Sequence, residues 1–229
     1  MKILGKINRN DLVQHLQNSS SGPKENRDIK NMDTKGTSEK TMSNDRYTEY
    51  GDITKVDTTG ASEETMRANQ LHGTDLTGVE ASEMMADRDQ EEVSKYKDNI
   101  ISVGEKLKVH PALIAAIISK QSQAGTQLRP DGFGKGDPNC FGLMQLNKDY
   151  HAVKDDPFGK DHLEQGVRVV VGLIKTMRMR KRNWSKEQQL KGALTCYMTG
   201  VFPEKYEDID SDFANDVVAR AQWFACEGF

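Results

Sequence analysis

The amino-acid sequence predicts an α+β protein that is mostly helical, with one central buried helix and a small β-hairpin or sheet beside it. Three observations predict this fold. One run of residues, 112–118, is apolar on every side, several other segments carry apolar residues at helical spacing, and a short apolar run follows a Gly-rich loop. The chain has 229 residues, of which 35% are hydrophobic and 29% charged. This length allows one sizeable core with polar chain left over.

The first part of the chain, residues 1–46, is predicted to be a polar, disordered extension, and residues 47–229 are predicted to form the folded domain. From position 18 to position 46 the extension has very few large apolar residues. Residues 28–42 repeat residues 52–66 at a constant offset of 24, with nine identities in fifteen positions. A local duplication explains this pattern, with the second copy joined to the fold and the first left as a tail.

The first helices are predicted between residues 82 and 118. Residues 82–107 carry apolar side chains at helical spacing. Pro111 suits the first turn of the next helix, and the run that follows it is hydrophobic all round, which is typical of a buried helix. The polar residues 119–125 at its end must reach water, so a cleft is expected there.

The remaining elements follow a loop. Residues 131–139 are rich in Gly, Asp and Pro and predict that loop, and residues 141–146 predict a short strand or hairpin arm. Three further helices are expected over residues 162–180, 185–197 and 213–226. Ser185 is a suitable N-cap for the second of them.

Composition and charge exclude several classes of function. A formal net charge of −3 argues against a nucleic-acid partner, and the basic cluster at residues 178–182 fits the solvated end of a helix. No apolar run approaches the length of a membrane span, so no membrane partner is expected. Charge interrupts residues 1–10 too early for a signal peptide, which predicts a cytoplasmic or non-classically secreted protein.

The three cysteines predict neither a disulfide framework nor a zinc site. Cys140, Cys196 and Cys226 are an odd number of residues at wide, unrelated spacings. Reduced thiols, mostly buried, are therefore expected. No metal and no cofactor are predicted.

Several stretches, in one order along the chain, resemble the goose-type (g-type) lysozymes over roughly residues 47–229. They are residues 51–62, 78–82, 111–119, 141–145, 188–192 and 215–222. The resemblance implies a lysozyme-like fold with a cleft for peptidoglycan or a chitin-like oligosaccharide, in a monomer. Known members hydrolyse the β-1,4 bond between N-acetylmuramic acid and N-acetylglucosamine without a cofactor. The avian disulfide cysteines correspond here to residues such as Glu63, Thr77 and Lys108, as in members with few cysteines and no signal peptide.

The same resemblance indicates that the general acid is absent. Glycoside hydrolysis needs a carboxylic acid beside the glycosidic oxygen, with its pKa raised by an apolar setting. In the family this acid is a Glu in a Ser-Arg-Glu-Ser-His-Ala-Gly-like stretch that closes the central helix. Here that stretch is residues 119–125, and Gln121 stands at the position of the acid. Gln has no titratable proton near neutral pH, and the loss of a general acid costs about 10²- to 10⁴-fold in rate.

The family's water-activating Asp residues are also replaced. Residues 132–135 match a Gly-Trp-Gly-Asp-like run and place Lys135 at the first Asp, although an inserted residue would let Asp137 take its place through a shift in register. The second Asp corresponds to Asn147. A single Glu-to-Gln change would fit an engineered knockout. The accompanying changes favour natural loss or strong impairment of hydrolysis.

Three hypotheses about function remain open. The first is a g-type lysozyme family protein with antibacterial activity that is weak or absent, and the second is a non-catalytic peptidoglycan-binding protein of innate immunity. The third is a protein that keeps the fold for an unrelated interaction through its duplicated tail. Gln121, Lys135, Asp137 and Asn147 are the candidate catalytic positions. The candidate sugar-binding residues are Phe141, Gln145, His151 and Tyr197.

Overall fold

A computed structural model describes residues 45–71, 76 and 78–229. Within these residues the chain forms seven α-helices and one two-stranded antiparallel sheet, which confirms the prediction of a mostly helical α+β fold. The elements are α1 (Glu63–Ala68), α2 (Gly78–Ser94), α3 (Lys97–Leu107), α4 (Pro111–Ser122), β1 (Cys140–Phe141), β2 (Leu146–Asn147), α5 (Lys160–Arg180), α6 (Lys186–Thr199) and α7 (Asp212–Cys226). The predicted extension, residues 1–46, lies almost wholly outside the described residues.

Helix α4 is the central buried helix that the sequence predicts. The ring of His110 caps its start by accepting a hydrogen bond from the Ala112 amide at 3.2 Å, and Pro111 occupies the first turn. Every residue from 112 to 119 is at most 2% exposed. Helix α4 packs chiefly against α7, with α2 and α3 on its other sides. The apolar run is buried because helices cover it all round.

Residues 82–107, where apolar side chains at helical spacing predict helix, belong to two helices, α2 and α3. The chain leaves helical geometry at Lys95 and Tyr96, whose amides bond to carbonyls only three residues back. The Tyr96 ring lies parallel to the Phe158 ring, with centroids 6.2 Å apart. A tertiary contact thus accompanies the break, and no Pro or Gly in the sequence marks it.

Helices α5 and α6 form the second layer of the fold. Helix α5 packs on α3 and α6. Ser185 caps α6 as predicted, since its hydroxyl accepts from the Gln188 amide at 3.1 Å and the Gln188 side chain accepts from the Ser185 amide at 2.8 Å. The basic cluster lies at the end of α5, where Arg178 and Arg180 also contact protein groups. No helix of the described chain, α5 included, has the length and hydropathy that a bilayer crossing requires.

The β element is a tight hairpin beside the end of α4. Cys140 pairs with Asn147 and Phe141 pairs with Leu146. Residues 141–146, predicted as one strand or hairpin arm, therefore fold back on themselves. The hairpin is tied to the helix because the Ser122 hydroxyl donates to the Leu143 carbonyl at 2.9 Å.

Candidate functional site

Gln121 lies in the last turn of α4, with its side chain half-buried. The residues on either side of it are anchored. Lys120 reaches α7, where its ammonium lies 2.9 Å from the Asp216 carboxylate. Ser122 bonds to the turn of the hairpin, at Leu143. The backbone at position 121 is therefore fixed between the last helix and the hairpin.

The chain reverses direction directly after this position. Gln123 and Ala124 both have left-handed backbone conformations, with φ of 46° and 52°. Such conformations are uncommon for residues with a side chain, and they cluster at functional sites. The Ala124 amide bonds back to the Ile118 carbonyl at 3.1 Å and so closes the helix. The reversal leads the chain into the Gly-rich loop.

The Gly-rich loop, residues 131–139, pairs with the hairpin. The Gly134 amide donates to the Cys140 carbonyl at 2.9 Å, and Phe133 forms a β-bridge with Phe141. A Cβ atom at Gly134 would lie 2.2 Å from the side-chain oxygen of Gln145, so a larger residue here would displace that side chain. The sequence predicts the loop but not this pairing, which places the loop against Gln145.

Lys135 and Asp137, the two candidates in the loop, both engage groups near them. The Lys135 ammonium donates to the Thr126 carbonyl at 2.7 Å, in the turn that follows α4. Asp137 is 9% exposed, and its carboxylate accepts from the Asn139 amide at 2.9 Å. Its other oxygen lies 3.5 Å from the Cys140 thiol. Burial, followed by the Asp137 charge, raises the pKa of Cys140 to about 12.

Asn147 and Gln145 lie on the hairpin. The side-chain oxygen of Asn147 accepts from the Asp149 amide at 2.8 Å, which closes a turn after β2. The Gln145 side chain donates to the Gly142 carbonyl at 2.8 Å, and Gln145 itself has a left-handed backbone. Both side chains are half-buried amides at the edge of the hairpin.

Tyr197 and Phe141 pack more deeply than their sequence context suggests. The Tyr197 hydroxyl donates to the Met144 carbonyl at 2.7 Å, and burial raises the pKa of that hydroxyl. Phe141 is 4% exposed and packs edge-on against Phe133, with ring centroids 5.1 Å apart. A direct contact between the Phe141 ring and a ligand would need the loop to move.

His151 is half-buried and lies one turn beyond β2. Its amide bonds to the Asn147 carbonyl at 3.0 Å. Burial lowers the pKa of its imidazole, which is therefore neutral at pH 7. A neutral imidazole can both donate and accept a hydrogen bond.

The structure gathers the predicted residues around the hairpin. The hairpin and the segments that flank it carry the six candidates from Lys135 to His151. Gln121 and Tyr197 come from α4 and α6, which are attached to the hairpin through Leu143 and Met144. Three of the eight candidates, Gln121, Gln145 and Asn147, are amides, which hydrogen-bond polyols but have no proton that titrates near neutral pH.

Asp131 is a further carboxylate in the loop, and its setting is wrong for a proton donor. The Phe133 amide donates to it at 3.1 Å and the Arg129 guanidinium donates to it at 2.9 Å. These contacts lower the pKa of Asp131, with the Phe133 amide as the largest cause. A general acid needs the opposite shift.

Sequence reasoning missed a buried polar network beneath Gln121. Arg220 of α7 is 0% exposed and donates to both oxygens of Asp216, at 2.9 and 3.0 Å. It also donates to Ser119 at 2.8 Å, and Ser119 in turn donates to Asp89 of α2 at 2.8 Å. The signal was present in the sequence, because an Asp and an Arg four residues apart interrupt an otherwise apolar helix face.

The charges of this network determine the ionisation of Asp216. Burial acts to raise its pKa, but the charges of Arg220 and Lys120 outweigh burial and hold that pKa well below its usual range. Asp216 is therefore ionised and paired, as buried charges must be. Elsewhere, the described residues hold no group of three or more His, Cys, Asp or Glu side chains arranged to bind a metal ion.

Comparisons with known proteins agree with this architecture. The sequence profile of the family described as Lysozyme g matches residues 50–228. The chain is 41% identical over 169 residues to Lysozyme g of Gallus gallus, covering 71% of this chain and 79% of the relative. It is 43% identical over 158 residues to Lysozyme G of Dromaius novaehollandiae, covering 66% and 76%. Lysozyme g-like protein 2 of Mus musculus is 40% identical over 157 residues, covering 66% and 71%.

Proposed function

Because the chain belongs to the lysozyme g family, we propose that it binds the glycan strands of bacterial peptidoglycan with little or no hydrolysis of their β-1,4 bonds. The observation that carries this proposal is Gln121, an amide at the end of the central helix where the family has its acid. The contacts of Lys120 and Ser122 hold its backbone in place. The geometry of the position is therefore retained, but the amide of Gln121 cannot act as a general acid.

Asp131 and Asp137, the two carboxylates of the Gly-rich loop, do not have the setting of a general acid. Asp137 is nearly buried and binds its own loop, and the pKa of Asp131 is lowered rather than raised. An inverting mechanism also needs a carboxylate that activates water, and the matching positions hold Lys135 and Asn147. Both steps of the chemistry are impaired, whereas the hydrogen-bonding capacity of the hairpin edge remains.

A binding role would suit innate immunity, in which a protein that senses or sequesters peptidoglycan need not cleave it. Gln145, Asn147 and His151 supply neutral donors and acceptors along one edge of the hairpin. Sugar hydroxyls are recognised by groups of this kind. The proposed ligand is therefore the glycan that the family cleaves, and this protein binds the glycan without cleaving it.

The test combines binding and clearing with the full chain. Sedimentation with insoluble peptidoglycan measures binding, and the turbidity of a Gram-positive cell-wall suspension over pH 4 to 8 measures hydrolysis. We expect the unmodified protein to bind without clearing, and Gln121→Glu to gain clearing activity. Gln127→Glu, which adds the same charge on an exposed position of the next turn, serves as the matched control and should not clear.

Each result has one meaning. Rapid clearing by the unmodified protein would show that another carboxylate acts as the acid, and the pH–rate profile would give its pKa. Binding without clearing by any variant would implicate Lys135 and Asn147 in addition to Gln121. A protein that neither sediments with peptidoglycan nor clears it would overturn the proposed function and favour an unrelated interaction.

A further inference from the structure

Residues 52–66, here called the strap, lie against a groove formed by α6, α7 and the start of α2. The Asp52 amide donates to Glu187 of α6 at 3.1 Å. The Thr58 hydroxyl donates to the Asn215 carbonyl of α7 at 2.6 Å. Ala61 forms a pair of backbone hydrogen bonds with Gly78 at the start of α2. The strap therefore contacts three helices.

The strap also docks on α7 through backbone and side-chain groups. The Gln222 side chain donates to the carbonyls of Ile53 and Val56, at 3.1 and 2.8 Å. The Asp212 carboxylate accepts from the Ser62 amide at 2.9 Å and from the Thr65 hydroxyl. All these partners belong to one helix, α7, which runs along the length of the strap.

Most of these contacts use the backbone of the strap, but Thr58 and Thr65 bond to α7 through their hydroxyls, and both residues recur in residues 28–42. Ile53, Thr65 and Met66 are at most 4% exposed. Asp52, Thr58 and Ser62 use their side chains in hydrogen bonds. The corresponding residues, in the same order, are Ile29, Thr41, Met42, Asp28, Thr34 and Ser38.

The strap also contains a glycine that its conformation requires. Gly60 has φ of +71°, and a Cβ atom there would lie 2.1 Å from the backbone of Gly78. No other residue fits this close approach without displacing α2. Gly36 occupies the matching position of the earlier copy.

Three of the six positions at which the two copies differ are exposed in the strap. Thr54, Lys55 and Thr59 are exposed, and Thr59 contacts Asn215 only through its backbone amide, at 3.3 Å. Their counterparts are Lys30, Asn31 and Lys35. These changes leave the docking contacts intact.

Two buried positions also differ. Val56 corresponds to Met32, and Val56 lines a cavity of about 250 Å³ that Tyr206 and Ile209 also border. This cavity has room for the longer, flexible Met side chain. The replacement of Ala61, 3% exposed, by Thr37 is the costlier change, since it adds two heavy atoms at a packed site.

We propose that residues 28–42 are a second occupant of this groove, which exchange with the strap within a single chain. The connection is long enough, because Met42 lies 36 positions before Gly78, compared with 12 positions for Met66. Both segments are tethered to the groove, so each has a high effective concentration there and a second copy of the protein competes poorly.

Contacts on either side of the strap determine whether the strap or residues 28–42 occupy the groove more of the time. Tyr50, just before the strap, is 7% exposed, and Asn69, just after it, accepts a hydrogen bond from Gln123 at 3.2 Å. Asn26, the residue of the earlier copy that matches Tyr50, does not reproduce the buried ring. The strap is therefore the major occupant. Exchange releases Asn69 from Gln123, two residues beyond Gln121, and so alters the end of the central helix.

The test is a double-mutant cycle in the full chain, read by thermal unfolding. Ile29→Asp alone should leave the melting temperature unchanged. Ile53→Asp should lower it only partly, because residues 28–42 take the place of the strap. The double variant should melt at least about 5 °C below Ile53→Asp, since no intact occupant remains. Lys30→Asp combined with Ile53→Asp is the matched control, because Lys30 corresponds to an exposed position of the strap. This variant should have the same melting temperature as Ile53→Asp alone.

Milder substitutions keep the cycle informative if Ile53→Asp does not fold. Thr58→Val removes the hydrogen bond to Asn215, and Thr34→Val is the matching change in the earlier copy; singly and together they should show the same pattern with smaller shifts. Equal melting temperatures for the single strap variant and the double variant would overturn the proposal. A dimer of the Ile53→Asp protein, measured by light scattering, would also overturn it, because the exchange would then occur between chains.

Discussion

The guanidinium group of Arg220 donates hydrogen bonds to both carboxylate oxygens of Asp216, and neither side chain is exposed to solvent. The pair lies within one helix, four residues apart. Arg220 also bonds to Ser119, and Asp216 also binds Lys120, so the pair joins α7 to the last turns of α4. A bidentate pair of this kind fixes the relative orientation of its two side chains.

Removal of the arginine should destabilise the fold strongly. Arg220→Met leaves a buried carboxylate with Lys120 as its main counterion, and we expect a loss of about 3–5 kcal/mol in the free energy of unfolding. Arg168→Met is the matched control, since Arg168 pairs with Glu164 at the same spacing but is 57% exposed. It should cost no more than about 1 kcal/mol. Urea denaturation measures both, and equal losses would contradict the assignment.

Stability should fall as the pH drops from about 6.5 to about 4, because of His162. Burial lowers the pKa of this imidazole to about 4, and its Nε2 accepts from the Met144 amide at 3.1 Å. Its Nδ1 has no hydrogen-bond partner among the described residues. The unfolded chain therefore takes up a proton at higher pH than the folded chain does. No stability is lost above about pH 6.5, and the loss in the free energy of unfolding reaches about 3 kcal/mol by about pH 4.

Urea denaturation of the unmodified protein and of His162→Gln at several pH values checks this expectation. The variant should be less stable at pH 7, but its stability should depend less on pH between 6.5 and 4. Some dependence should remain, since burial also lowers the pKa of His110. If the free energy of unfolding depends on pH in the same way in both proteins, His162 is not the cause of the pH dependence.

Tyr197→Phe should cost about 1–2 kcal/mol, since it removes the hydroxyl that donates to the Met144 carbonyl and leaves that carbonyl unpaired in the interior. The phenyl ring should keep its place, stacked on Phe213 with centroids 6.1 Å apart. Tyr150→Phe, at a position 58% exposed, should change the free energy of unfolding by less than about 0.5 kcal/mol. A comparable loss for both variants would argue against the buried hydrogen bond.

The three cysteines should react at very different rates. All three lie in the described part of the chain and none forms a disulfide. Burial raises the pKa of Cys140 to about 12 and that of Cys196 to about 11, whereas Cys226 is exposed. Labelling with a thiol reagent at pH 8 should give one fast phase, which Cys226→Ser removes. A fast phase that survives this substitution would show that the core opens readily.

The sequence predicts much of the fold because burial leaves a clear pattern. The run from residue 112 to residue 118 is apolar on every side, and the structure buries all of it. The break between α2 and α3 could not be predicted, since Val93 and Ile100 are both buried and keep their spacing across it. Only the stacking of Tyr96 on Phe158, distant in sequence, distinguishes the two helices from one.

The candidate site was predicted less completely. The position of Gln121 at the end of the central helix follows from the order of residues alone. Its support does not, because the ion pair of Lys120 with Asp216 and the hydrogen bond from Ser122 to Leu143 join segments that are far apart in the chain. The expectation that this protein is cytoplasmic or non-classically secreted stays a prediction.

The anchoring of Lys120 and Ser122 has an evolutionary consequence. Both hold the backbone at position 121 through groups that do not involve the side chain of residue 121. The stability of the fold therefore depends little on whether residue 121 carries a carboxylate or an amide. If the proposed function holds, the exchange of an acid for an amide at position 121 is a change that the fold tolerates, so the chemistry of this position can evolve separately from the stability of the protein.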